Sequence, residues 1–109
     1  MSEPNFRGLP EELLSVTIFA RFRAKPGREA RLLQELKRLP EPTRAEEGCI
    51  TYDLHQSQSD PALFVFYESW ASQAALDAHF GAPHLQALLR LVPELVEGSP
   101  EITKWSVVK

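Results

Sequence analysis

Between Ser15 and Arg23 apolar and polar side chains alternate, with Val16, Ile18, Ala20 and Phe22 on one side and Thr17, Phe19, Arg21 and Arg23 on the other. A period of two, carried by β-branched and aromatic residues, predicts a strand. Lys25-Pro26-Gly27 interrupts it. Ala30, Leu33, Leu36 and Lys37 then recur at helical spacing, with Leu32 and Leu39 widening the stripe, and predict a helix that ends near Pro40. The stretch PEPTRAEEG that follows is expected to be a connection. From Cys49 to His55 alternation returns, setting Ile50, Tyr52 and Leu54 against Cys49, Thr51, Asp53 and His55. The polar stretch QSQSDP predicts a hairpin turn into a third strand, Ala62 to Trp70. There Phe64, Phe66, Glu68 and Trp70 oppose Leu63, Val65 and Tyr67, so the strand needs cover on both faces.

Ser72 is a good N-cap for a helix with Ala75, Leu76, His79 and Phe80 on one face, and Gly81 is expected to end it. Pro83 suits the first turn of the next helix, whose stripe is Leu85, Leu88, Leu89 and Val92; Pro93 should kink or end it. ITKWSVV supplies the last strand. The order strand, helix, strand, strand, helices, strand is that of an α+β, ferredoxin-like fold: a four-stranded antiparallel sheet with the helices on one face. Its other face also carries apolar side chains. With no repeat inside the chain to cover them, a second copy packed sheet to sheet is the expected partner, a homodimer.

Composition narrows the class. At 109 residues and 43% apolar, the chain is one domain able to bury a core without disulfides or a structural metal. Residues 1–14, with Pro4, Gly8 and Pro10, read as an N-terminal extension with one turn of helix at LPEELL docking through Leu13 and Leu14; residues 15–109 form the domain. Fifteen acidic against twelve basic residues, interspersed, argue against nucleic acid as a partner. No apolar run reaches the length of a membrane span, and MSEPNFRGLPEELLS lacks a signal-peptide pattern, so a cytoplasmic protein is expected.

Candidate chemistry rests on a few side chains. His79, beside Leu76 and Phe80, could be a base or donor in a pocket, or a core-edge histidine held by a carbonyl. His84 opens a helix, where capping serves as well as function. His55 faces either a cavity mouth or solvent. Metal binding is not expected from spacing, because His79 and His84 are five apart with Gly81 and Pro83 between them. The single Cys49 excludes a cysteine-rich zinc site and reads more as a small buried hydrophobe than as a nucleophile. Glycine-rich nucleotide motifs are absent from the sequence. Tyr52, Phe64, Phe66, Trp70 and Trp105 suit either a pocket for a flat ligand, with Glu68 and His79 as polar anchors, or a dimer core.

Three motifs carry a resemblance: E-x-G-C at Glu46 to Cys49 followed by Tyr52, Y-E-x-W at Tyr67 to Trp70, and H-x-x-x-P-H at His79 to His84. With them the chain, from about Val16 to Val108, resembles the antibiotic biosynthesis monooxygenase (ABM) domain family, including its quinol monooxygenase-like members. That resemblance implies a homodimeric α/β barrel with a pocket between sheet and helices. It also implies oxidation of a small aromatic phenol or quinol by O2 with no metal, haem or flavin cofactor. Carried over by position, His79 and Tyr52 would handle protons or hydrogen bonds. Phe66, Glu68 and Trp70 would shape the wall, with Phe64 and His84 counted among the substrate-binding residues. Where the haem-degrading branch uses an asparagine, a tryptophan and an axial histidine, the positions that match are Ala20, His79 and Leu89, which argues against that activity. Two other readings stay open: a non-catalytic hydrophobic-metabolite or stress-response module, and a sugar-phosphate isomerase drawing its cations from Arg21 and Arg23.

Overall fold

The computed structural model describes residues 14–108. In order these form β1 (Val16–Arg23), α1 (Glu29–Leu36), α2 (Pro40–Arg44), β2 (Cys49–Gln56), β3 (Leu63–Trp70), α3 (Gln73–Phe80), α4 (Pro83–Leu95) and β4 (Glu101–Trp105). The strands make one antiparallel sheet in the order β2-β3-β1-β4, as the ferredoxin-like reading requires. The expected N-terminal extension lies outside the described residues except for Leu14, which is half-buried.

Alternation fixes the two faces. Ile18, Ala20 and Phe22 of β1 and Phe64, Phe66 and Trp70 of β3 form one core with Leu32, Leu36, Leu76, Leu85, Leu88 and Leu95 of the helices, and Glu68 of β3 is buried on the same face. Strand register stacks this face in rows. One row runs Tyr52, Glu68, Ile18 across β2, β3 and β1; the next runs Leu54, Phe66, Ala20, Ile102 and reaches β4. The opposite face carries Phe19, Tyr67 and Trp105, with Phe19 5.4 Å from the Tyr67 ring and edge-on to Trp105 at 6.2 Å.

Several elements differ from the sequence reading. PEPTRAEEG contains α2, because Pro40 fits a first helical turn and Thr43 can bury there beside the sheet. Pro93 does not stop α4, which runs two residues further. It sits so near the end that few intrahelical bonds are at stake, and that end is tied down by Val96 N–H to Val92 O (2.8 Å) and Lys25 N–H to Leu95 O (2.9 Å). In β2 a register shift between Cys49 and Thr51 leaves Ile50 58% exposed and turns Cys49 toward the core, reversing the expected placement of both. β4 is shorter than ITKWSVV, and Val107 and Val108 lie exposed beyond it.

Candidate active site

The two sheet rows form the floor of a cavity roofed by α3 and α4. Ile18, Ala20, Phe22 and Phe66 are its apolar floor, and Phe80, Leu85 and Leu89 come from the helices. Pro100 and Ile102 close the side next to β4. Three polar side chains line it: Tyr52, Glu68 and His79. Its volume is about 50 Å³, room for a few waters, whereas a dry cavity that takes benzene is about 150 Å³. Phe80, Leu89 and Ile102 are the most exposed of the lining residues and stand between the cavity and solvent.

His79 is 2% exposed and held on every side. Its ring lies 4.7 Å from that of Trp70, tilted by 32°, and 5.4 Å from that of Tyr52. Nδ1 is 2.7 Å from Oε2 of Glu46, and the same oxygen is 2.8 Å from Nε2 of His84. A carboxylate only accepts, so Nδ1 of His79 carries its hydrogen and Nε2 is left with a lone pair. Burial pushes the His79 imidazole below its usual value, while the Glu46 carboxylate pulls the other way.

The other polar groups are tuned by the same burial. Desolvation pushes the Tyr52 phenol well above its ordinary range, and the Glu68 carboxyl adds to this, so Tyr52 stays a hydrogen-bond donor. Burial raises Glu68 to about 7, against the opposing pull of the Trp70 Nε1–H, which donates to Oε1 at 2.9 Å. The Cys49 thiol is raised to about 11, chiefly by burial and then by Glu46, which leaves it no thiolate to attack with at neutral pH.

A glycine makes the Glu46 contact possible. Gly48 has φ +83°, and a Cβ there would stand 2.5 Å from the Cβ of Ala75 on α3. Only glycine lets this turn close against α3, and the Gly48 carbonyl accepts from Ala71 N–H, just beyond the end of β3, at 2.8 Å. Arg44 fixes the other end of the turn, donating to the Tyr52 carbonyl at 2.8 Å and pairing with Asp53 at 2.9 Å.

Of the residues singled out from sequence, Tyr52, Phe66, Glu68 and His79 meet at the cavity. Phe64, Trp70 and His84 do not line it. Phe64 is fully buried in the core, Trp70 supports His79 and Glu68 from behind, and His84 turns to Glu46. Trp105 is paired with Thr17, which sends it to the outer face, so it is no part of the pocket's aromatic set. His55 is exposed, its Nδ1 3.1 Å from the Asp53 carbonyl. Glu46, named only as the first letter of a motif, is the residue the sequence reading passed over. Among the described residues, Glu46, His79 and His84 are the group whose ligand atoms lie close enough to hold a metal ion, all within 4.8 Å of one another. No helix among them is long and apolar enough to cross a membrane.

The family model described as antibiotic biosynthesis monooxygenase matches residues 15–91, the span that builds this cavity. The chain belongs to the antibiotic biosynthesis monooxygenase family. Rv0793 of Mycobacterium tuberculosis, whose name assigns it provisionally as a monooxygenase, is 38% identical over 88 residues, 81% of this chain and 86% of that protein. The uncharacterised protein sll1783 of Synechocystis is 27% identical over 94 residues; the match takes in 86% of this chain but only 64% of that longer protein. Among solved structures, PA3566 from Pseudomonas aeruginosa superposes with a TM-score of 0.85 at 34% identity, covering 90% of this chain and 98% of its own. ABM membership and the ferredoxin-like sheet thus agree with the sequence reading.

Proposed function

We propose that the chain is a cofactor-independent monooxygenase that oxidises a small aromatic phenol or quinol with O2. The observation that carries this reading is the cavity itself: an apolar slot between sheet and helices in which Tyr52, Glu68 and His79 are the polar groups. A flat aromatic ring suits such walls, and a few placed polar groups suffice to orient it. His79 Nε2 takes the phenolic proton, with Glu46 holding Nδ1–H and so fixing the tautomer. The resulting anion is electron-rich enough to pass electrons to O2. One oxygen atom bonds to a ring carbon, and the other leaves as water with the two hydrogens that the substrate gives up. Tyr52 donates a hydrogen bond to the substrate oxygen, and Glu68, whose carboxyl burial raises to about 7, supplies a proton to the departing oxygen.

The cavity is too small for such a ring as it stands, so entry requires Phe80, Leu89 and Ile102 to move apart. A sugar phosphate fits the lining less well, for no lysine or arginine is among it. Arg23 pairs with Asp60 at 2.6 Å and Arg21 is exposed on the outer face. A second copy covering Phe19, Tyr67 and Trp105 completes the proposal, giving the dimeric barrel.

The test is O2 consumption by chelator-treated protein against hydroquinones, naphthols and anthrones, corrected for autoxidation. Saturable uptake that falls at least a hundredfold in His79→Ala supports the reading. A flat response across the panel contradicts it and favours a binding module.

A further inference from the structure

We infer that Glu46, His79 and His84 form a binding site for one divalent transition-metal ion of borderline softness, of the class of Zn2+, Ni2+ or Co2+. The ligands come from three separate segments: the turn before β2, the last turn of α3 and the first turn of α4. Sequence spacing kept the two histidines apart because they are five positions apart, off the step of three or four that aligns ligands on one helix, with Gly81 and Pro83 between them. The break at Gly81 and Pro83 instead folds His84 back, and the ring centroids come to 6.2 Å.

Donor chemistry and geometry agree. Two imidazole nitrogens and one carboxylate oxygen are the set such ions take when a position is left open for water or substrate. Ligands at about 2.0–2.2 Å from one ion lie about 3.0–3.5 Å from each other. Here Glu46 Oε2 is 2.7 Å from one nitrogen and 2.8 Å from the other, with all three atoms within 4.8 Å. Small shifts of the Glu46 and His84 side chains, 16% and 22% exposed, admit an ion, and the same exposure gives it a path from solvent that avoids the cavity. His79 is already fixed between Trp70 and Tyr52, so one ligand costs no ordering.

Occupancy has a consequence at the cavity. An ion on Nδ1 of His79 displaces the hydrogen now shared with Glu46, and the neutral ring then carries its hydrogen on Nε2. The nitrogen proposed above as a base becomes a donor, so on that reading the ion inhibits turnover.

The experiment is titration of tag-free, chelator-stripped full-length protein with Co2+ and Zn2+, followed by calorimetry and by the visible absorption of Co2+. One equivalent per chain is expected, with His84→Ala and Glu46→Gln each weakening it at least tenfold and His55→Ala leaving it unchanged. His84→Gln, less disturbing to packing, is expected to behave as His84→Ala, and circular dichroism establishes that each variant is folded. Absence of saturable binding overturns the proposal, as does binding that survives loss of both His84 and Glu46. Because binding is read without turnover, a protein that takes the ion but, stripped of it, consumes no O2 refutes the monooxygenase reading and leaves the metal site standing.

Discussion

Glu46 Oε2 stands 2.7 Å from His79 Nδ1 across 33 positions of chain, and this contact decides which ring nitrogen is free for the cavity. Glu46→Gln keeps the shape but can present an amide N–H where an acceptor is needed. The variant is expected to lose about tenfold or more in kcat with little change in KM, because orientation of the base rather than ring binding is lost. Loss of charge-assisted hydrogen bonds is expected to cost about 1–3 kcal/mol in urea denaturation.

Gly48→Ala tests the turn that brings Glu46 into place. The substitution meets both a positive φ and a Cβ contact of 2.5 Å with Ala75. A loss of about 2–4 kcal/mol is expected, from backbone strain plus overpacking against α3. Gly27, also at positive φ but with open space around it, is expected to lose less on the same change, so denaturation of the pair separates the two causes.

The strands, their faces and the helix boundaries at Ser72, Gly81 and Pro83 were legible because each is written in local periodicity or in a cap. Ser72 Oγ does accept from Ala75 N–H at 3.1 Å. Ile50 and Cys49 were misplaced because a bulge inserts one residue that alternation cannot see. Tyr52, Phe66, Glu68 and His79 could be chosen from burial pattern and resemblance, but the rows that bring them together depend on strand register. Glu46 and His84 were not legible as partners of His79, since their meeting rests on the Gly48 turn and the chain reversal at Gly81, both tertiary facts.

Glu68 makes stability depend on pH. Its ordinary value of 4.5 in the unfolded chain rises to about 7 on folding, chiefly by burial. Between those values the folded chain holds a proton that the unfolded chain has released, so stability is greatest below pH 4.5 for this group and falls as pH rises through about 7. The full loss is on the order of 3 kcal/mol. Glu68→Gln is expected to flatten this part of the profile in denaturation from pH 4.5 to 8; an unchanged slope would show that another group sets it.

The outer face gives an assembly prediction. Phe19, Tyr67 and Trp105, the last 56% exposed, form one aromatic patch that runs from β3 across β1 to the edge strand β4. Sedimentation velocity at micromolar concentration is expected to show a dimer, and Phe19→Glu, which places a charge inside that interface, is expected to give a folded monomer. A wild-type monomer would remove the barrel from the account.

The most direct test of the central claim is a single-turnover reaction under 18O2 with the substrate that gives the highest uptake, analysed by mass spectrometry of the product. One labelled oxygen per product molecule, no hydrogen peroxide and loss of the label in His79→Ala are the results the account predicts. A product with no label, or stoichiometric peroxide, would contradict oxygen transfer in this cavity.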